Sequence, residues 1–288
     1  MKIITTYISG LKISGRLMKM TVLIYCVNLS LSLIIAIPFL GDLKSGFGSS
    51  MLPDALLKGF DFTSISEFLR ISSGVISSYI HQARWMIFLY FLLSILFSGG
   101  ILVVIYKKEK FSVISFFNGC LIYFFRFFKL FIYMAVFNIL IAVIVYLPLS
   151  IIIKSAADTV DSEATLFFIG MYGVIIHLIL FGILQMVSYY AKIQIVSDDS
   201  RKVFRAIFKS MGFVFKHFIN TFSLFLLLLV APVSLWIAYF ILRNSIGFTS
   251  GFTILIMFII QQAFTFSRIF IRIWKYGSQY ELYSKYKE

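Results

Sequence analysis

The stretch LFIYMAVFNILIAVIVYLPLSIII, residues 130–153, runs for 24 residues without a charge. A helix rises about 1.5 Å per residue, so this stretch reaches about 36 Å, enough to cross a hydrocarbon core of roughly 30 Å. Its apolar residues do not alternate with polar ones, as the strands of a membrane barrel do. In hydrocarbon every backbone N–H and C=O must be satisfied within its own segment, which selects helix over open sheet.

Working outward, five further stretches have the same character: residues 20–41, 85–106, 165–190, 218–242 and 246–267, each at least 22 residues long. The chain of 288 residues is 60% hydrophobic and 13% charged, whereas soluble domains are nearer half apolar and a quarter charged. Core helices of a large soluble protein would need a polar surface that this chain lacks. The expected fold is therefore all-α: one transmembrane domain over residues 1–288, six spans arranged as three hairpins, with interfacial amphipathic helices between them. The apolar run 111–125 is too short to span and is closed by Arg126 and Lys129, so residues 107–129 are expected as a cytoplasmic surface segment. Residues 192–216 are expected as a second one.

Charge sets the orientation. One end of the six-span plan carries twenty of the basic residues and five acidic ones; the other end carries six basic and seven acidic. Basic residues concentrate in cytoplasmic loops. Both termini are therefore expected in the cytoplasm and the protein in the bacterial inner membrane. The net charge of +14 is spread over four short segments rather than one folded face, which argues against a nucleic-acid partner. The basic N-terminus and apolar run resemble a signal peptide, but the run is long and lacks a small-x-small cleavage site, so it is expected to be retained. Cys26 and Cys120 fall at different expected depths, which argues against a disulfide.

The largest outside segment, residues 42–84, holds two helix-start patterns: Pro53-Asp54-Ala55, and Ser64 with Glu67 at capping-box spacing. On the cytoplasmic side residues 198–217 read as an amphipathic helix. Val203, Phe204, Ile207, Phe208, Met211, Val214, Phe215 and Phe218 recur at helical spacing, with Lys202, Arg205, Lys209 and Lys216 on another face. Asp198, Asp199 and Ser200 are expected to cap its start. Either it lies in the inner leaflet among anionic headgroups or it packs on the underside of the bundle. A shift of 110 residues matches Arg16 to Arg126, Lys19 to Lys129, Asn28 to Asn138 and Pro38 to Pro148, which suggests a duplicated hairpin.

No acidic residue lies in any span, which counts against a carboxylate proton relay. The polar residues within the spans are Asn28, Asn138, His177, Gln185, Gln261 and Gln262. Asn28, Asn138 and His177 are the candidates for a polar midplane site; each equally suits a hydrogen bond between helices. Arg268 and Arg272, one turn apart at the inner end of the last span, either reach the interface on apolar stems or bind a lipid phosphate, as Lys202, Arg205 and Lys209 would. Gly99, Gly100, Gly170, Gly173 and Gly182 are expected to allow close helix contact. No catalytic, metal-binding or cofactor-binding pattern occurs.

Leu57-Lys58-Gly59-Phe60-Asp61, Gly99-Gly100, the Phe-rich stretch 115–130, and Tyr189-Tyr190-Ala191-Lys192 leading to Asp199-Ser200-Arg201 together resemble an uncharacterised group of bacterial six-helix membrane proteins. The layout is also loosely similar to the membrane domain joined to some glycerophosphodiester phosphodiesterases. The catalytic barrel of those enzymes is missing, so the resemblance implies a six-helix plan and no hydrolase residues. The function expected is that of a non-enzymatic scaffold that organises lipids or partners, with the bilayer and its anionic headgroups as partners. The alternative is a transporter or channel for a small or amphiphilic solute. A membrane enzyme acting on lipid rests on the second similarity alone. Reporters fused to either terminus are expected to show cytoplasmic activity; periplasmic activity at one end would overturn this orientation.

Overall fold

A computed structural model describes residues 2–47, 62–63, 66, 70, 73–108, 110–157, 162–246 and 250–287. Among these the long elements are eight helices: α1 (Lys2–Arg16), α2 (Met18–Phe47), α3 (Ser73–Lys107), α4 (Val113–Ala157), α5 (Glu163–Ser197), α6 (Val203–Lys216), α7 (Phe218–Ser245) and α8 (Gly251–Lys287). No strand occurs among the described residues. Six of the helices, α2, α3, α4, α5, α7 and α8, are long and apolar enough to cross a membrane. The most apolar window of α4 has none of its residues buried within the protein. Ile139, Ile144, Leu147 and Ile151 on that helix are all more than half exposed. Such a surface is stable only against an apolar solvent, and the fold is that of a multi-pass membrane protein.

Three boundaries differ from expectation. Residues 113–129, expected as a separate surface segment, run unbroken into the third span, because α4 is a single helix of 45 residues. Arg126 and Lys129 limit how much of a helix hydrocarbon can hold, but neither residue breaks a helix. α3 begins at Ser73 rather than near 85, for the same reason: Arg84 and His81 are compatible with helix. Residues 192–197 complete α5, and α6 starts at Val203 rather than at the aspartates. The helix starts expected near Pro53 and Ser64, and the motif at residues 57–61, lie outside the described residues.

The chain packs as two compact units. The first comprises Met1–Leu11, Ser98–Leu227 and Tyr276–Glu288. Its core is built from Ile101, Leu102 and Ile105 of α3, Phe116, Phe127 and Leu130 of α4, and Met186, Tyr190 and Ile193 of α5, all fully buried. Glycines bring α3 and α4 together. A Cβ on Gly99 would stand 2.8 Å from the carbonyl oxygen of Gly119, and one on Gly100 would stand 2.6 Å from the sulfur of Cys120. Gly173 faces Leu149 across the α4–α5 pair in the same way. Gly182 makes only ordinary contact with Phe225, and Gly170 faces open space. The expected close contacts therefore occur at three of the five glycines.

The end of α8 belongs to this core. Tyr276, Ser278, Gln279, Tyr280, Leu282 and Tyr283 are buried. Gly10 of α1 sits directly on Ser278, Lys285 donates to the Thr6 hydroxyl at 3.2 Å, and Tyr286 stacks on His217 with ring centres 4.1 Å apart. Lys192 lies among aromatic faces: its Nζ is 5.8 Å from the ring centres of Tyr189 and Tyr276 and 6.0 Å from that of Phe127. It also donates to the Tyr276 hydroxyl at 3.3 Å. The π faces offset part of the cost of removing this ammonium from water.

The second unit comprises Lys12–Phe97 and Leu228–Lys275. Leu17, Met20 and Ile24 are buried in it together with Ile95, Phe97, Met257, Ile269 and Ile273. Its polar groups pair between helices. Tyr25 donates to Gln262 Oε1 at 2.8 Å, Arg272 donates to the Ser94 carbonyl, and Tyr79 donates to Asp42.

Gly99→Ala should destabilise the protein by about 1–3 kcal/mol, because the facing atom is backbone and cannot move aside. Gly170→Ala should be neutral or raise stability by up to about 1 kcal/mol. Thermal unfolding of the two variants in the same detergent checks the contrast; equal shifts would refute the close-contact account.

Candidate functional site

The three ion pairs recorded among the described residues of the first unit meet at the turn between α5 and α6. Asp198 is the C-cap of α5, and its N–H bonds the Gln194 carbonyl. Asp199 follows in the left-handed region with φ 43°, and the Ser200 N–H reaches back to the Ile195 carbonyl at 3.1 Å. This is the Schellman closure of a helix, usually made with glycine. Asp is one of the few other residues that tolerate the conformation. The aspartates thus end α5 rather than cap α6: the N-cap of α6 is Lys202, with no side-chain bond to the helix.

The two carboxylates instead join three helices. Asp199 accepts the Arg126 guanidinium at 2.5 Å and the Tyr123 hydroxyl at 3.0 Å, both from α4. Asp198 accepts Lys287 of α8 at 2.7 Å and pairs with Lys209 of α6 at 3.5 Å. Arg126 holds Asp199 below the usual carboxylate range, and Tyr123 adds to that effect. Partial burial pushes Asp198 up, but Lys287 and Lys209 outweigh it and the net shift is downward.

Two concavities open beside this turn. The larger, about 780 Å³, is lined by Tyr106, Lys107, Ser115, Asn118, Tyr123 and Asp199 among others. The smaller, about 170 Å³, lies between the last turn of α5 and α6 and is lined by Gln194, Asp198, Ser200, Arg205, Ala206 and Lys209. Asp198 borders both.

α6 divides into three faces. Val203, Ala206, Ile207, Ser210 and Val214 are buried. Phe204, Phe208, Met211 and Phe215 are exposed, three of them by more than half. Arg205, Lys209 and Lys216 are also exposed. At 100° per residue these groups fall roughly a third of a turn from one another. One side of this helix is therefore packed on the protein while its Phe-rich and basic sides are exposed.

The remaining sequence candidates are dispersed. Lys202, Arg205 and Lys209 share the exposed basic side of α6 and its start. Arg268 is exposed, with its guanidinium 6.0 Å from the centre of the Phe264 ring. Arg272 is half-buried and engaged with the Ser94 carbonyl in the second unit, which also contains Asn28. Asn138 and His177 belong to the first unit. His177 lies beside Tyr146, ring centres 5.3 Å apart; Asn138 is eight residues from Tyr146 on α4, so about 12 Å of helix separates the Asn138 and His177 levels. Sequence reasoning missed Gln194 and the pairing of Lys287 and Arg126 with the aspartates. The sequence signal for that pairing was two adjacent acids among strongly basic segments.

No family model, curated protein or solved structure matches this chain.

A carboxyl held below its unfolded value near 3.9 adds stability that is complete at neutral pH and is lost as pH falls through the folded value. Asp198→Asn should therefore lower stability at pH 7 by about 1 kcal/mol and make no difference near pH 2. Melting curves of both proteins across that range test this; a pH-independent gap would exclude the ion pairs as its cause.

Proposed function

We propose that this chain is a non-enzymatic multi-pass protein of the bacterial inner membrane that organises anionic lipids, and through them partners, at the cytoplasmic surface. On this reading it is one of the six-helix bacterial proteins its motifs resemble, and both termini are cytoplasmic. The observation that carries the reading is the three-sided exposure of α6. One side packs on the protein, a Phe-rich side is left open, and a basic side adjoins it. Such a helix suits the headgroup boundary, with rings directed to acyl chains and cations to phosphates. The first half of α4 has a similar division: Phe116, Cys120, Tyr123 and Phe127 are buried, while Ile114, Phe117, Leu121 and Phe125 are exposed. Arg126 and Lys129 stand nearby on the same helix.

A transporter or channel is the second reading. It is favoured by Asn138 Oδ1 and His177 Nδ1, both buried without a hydrogen-bond partner among the described residues. The separation of these groups along the helix pair weakens the case for one midplane site. Solute flux through proteoliposomes belongs to this reading and not to the first.

Protein extracted gently from its membrane should carry anionic phospholipid enriched over the bulk bilayer, read by mass spectrometry of the bound lipid. Replacing Lys202, Arg205 and Lys209 together with Gln should remove most of that enrichment. Bound lipid of bulk composition in the unaltered protein would refute the proposal.

A further inference from the structure

We propose that the smaller concavity, between the last turn of α5 and α6, is a discrete phosphate site that takes the headgroup of an anionic phospholipid. This rests on the lipid reading above and gives it a specific seat. Three observations converge on that seat.

The first is charge. Arg205 and Lys209 line the concavity from successive turns of one helix side. Asp198 also lines it, but that carboxylate is bound to Lys287 at 2.7 Å from outside the cavity. Lys209 approaches Asp198 only to 3.5 Å, and Arg205 makes no ion pair among the described residues. With Asp198 offset by Lys287, the cavity presents cationic charge. An Arg fork matches two oxygens of a phosphate, and a Lys ammonium supplies a third donor.

The second is an unused polar group. Gln194 is 4% exposed, lines the same concavity, and its Oε1 has no hydrogen-bond partner among the described residues. A phosphodiester oxygen carries no proton and cannot donate to Oε1, so the part of this amide that suits a phosphate is its NH₂. A half-turn of the amide presents its NH₂ to a phosphate oxygen. Ser200 adds a hydroxyl at the rim. The Asp198 and Ser200 N–H groups bond the Gln194 and Ile195 carbonyls of the last turns of α5. The α6 N-terminus, with no side-chain cap, lies between Ser200 and Arg205 and adds the positive end of its dipole.

The third is size and surroundings. About 170 Å³ is several times the roughly 30 Å³ share of one water, enough for a phosphate group and too little for a whole lipid. Phe204 and Phe208, which contact each other with centres 4.8 Å apart and are both about half exposed, flank Arg205 in sequence on the next side of α6. They offer an apolar bed for the acyl chains of a lipid whose phosphate occupies the cavity.

The test uses the full chain in nanodiscs or detergent with phosphatidylglycerol as probe, read by native mass spectrometry and by the shift in melting temperature. Arg205→Gln and Gln194→Leu should each weaken binding about tenfold, whereas Lys216→Gln, which removes the same charge outside the cavity, should change it little. Diffuse attraction predicts the opposite: equal losses for Arg205→Gln and Lys216→Gln, and none for the uncharged Gln194→Leu. That result would overturn the discrete site while leaving the broader lipid reading intact. No preference for phosphatidylglycerol in the unaltered protein would overturn both. Because Gln194→Leu alters a buried position, Gln194→Glu serves as a second variant; its carboxylate should repel the phosphate while its fold is checked by melting without lipid. Inorganic phosphate and glycerol 3-phosphate form the soluble arm. Stabilisation by lipid but not by these ions supports a headgroup held with its chains. Equal stabilisation by the ions would overturn the lipid assignment in favour of a soluble phosphate compound.

Discussion

Hydrocarbon neither donates nor accepts a hydrogen bond, and every later feature of this protein depends on that. It requires six long stretches to satisfy their own backbones as helices, and it removes the usual reward for burying apolar side chains against one another. Helices then associate through close packing and through the few polar groups they carry. Both devices are present. Gly99, Gly100 and Gly119 bring α3 and α4 into near-backbone contact, and Tyr25 bonds Gln262 between α2 and α8. The surfaces left over, such as the outward side of α4, remain apolar because nothing selects against it.

Different rules apply where the first unit is built from the helix ends. There the polypeptide gathers its charges, and their arrangement is local and specific. Two adjacent aspartates close α5 and draw in cations from α4, α6 and α8. These pairs are partly exposed and individually weak; their importance is geometric. Lys287 engages Asp198 from outside a cavity that Arg205 and Lys209 line, where the Gln194 amide oxygen has no hydrogen-bond partner among the described residues. Lys192 meets the same problem of a cation away from water by another route, with aromatic faces and one hydroxyl in place of a carboxylate.

Residues that look alike in sequence play different parts once packed. Arg268 and Arg272 stand one turn apart near the end of the last span, yet Arg272 is taken up by the Ser94 carbonyl while Arg268 is exposed. Gly170 and Gly173 differ as sharply, one facing space and the other Leu149. The tyrosines of residues 276–283, in a segment that also carries Lys275, Lys285 and Lys287, are core residues. Their spacing of three and four residues carried that signal, but the neighbouring charges obscured it.

Hydrophobic length is a property of the chain taken alone, so helix class and six helices long enough to span a membrane could be read directly from the residues. Helix boundaries were read less well, because charge limits what a bilayer accommodates and not where a helix stops; α4 passes through Arg126 and Lys129 unbroken. The union of Asp198, Asp199, Arg126, Lys209 and Lys287, and the cavity beside it, could not be read at all. Those groups come from four places along the sequence, and only the packing of α4, α5, α6 and α8 brings them within a few ångströms, the range over which ion pairs and hydrogen bonds act.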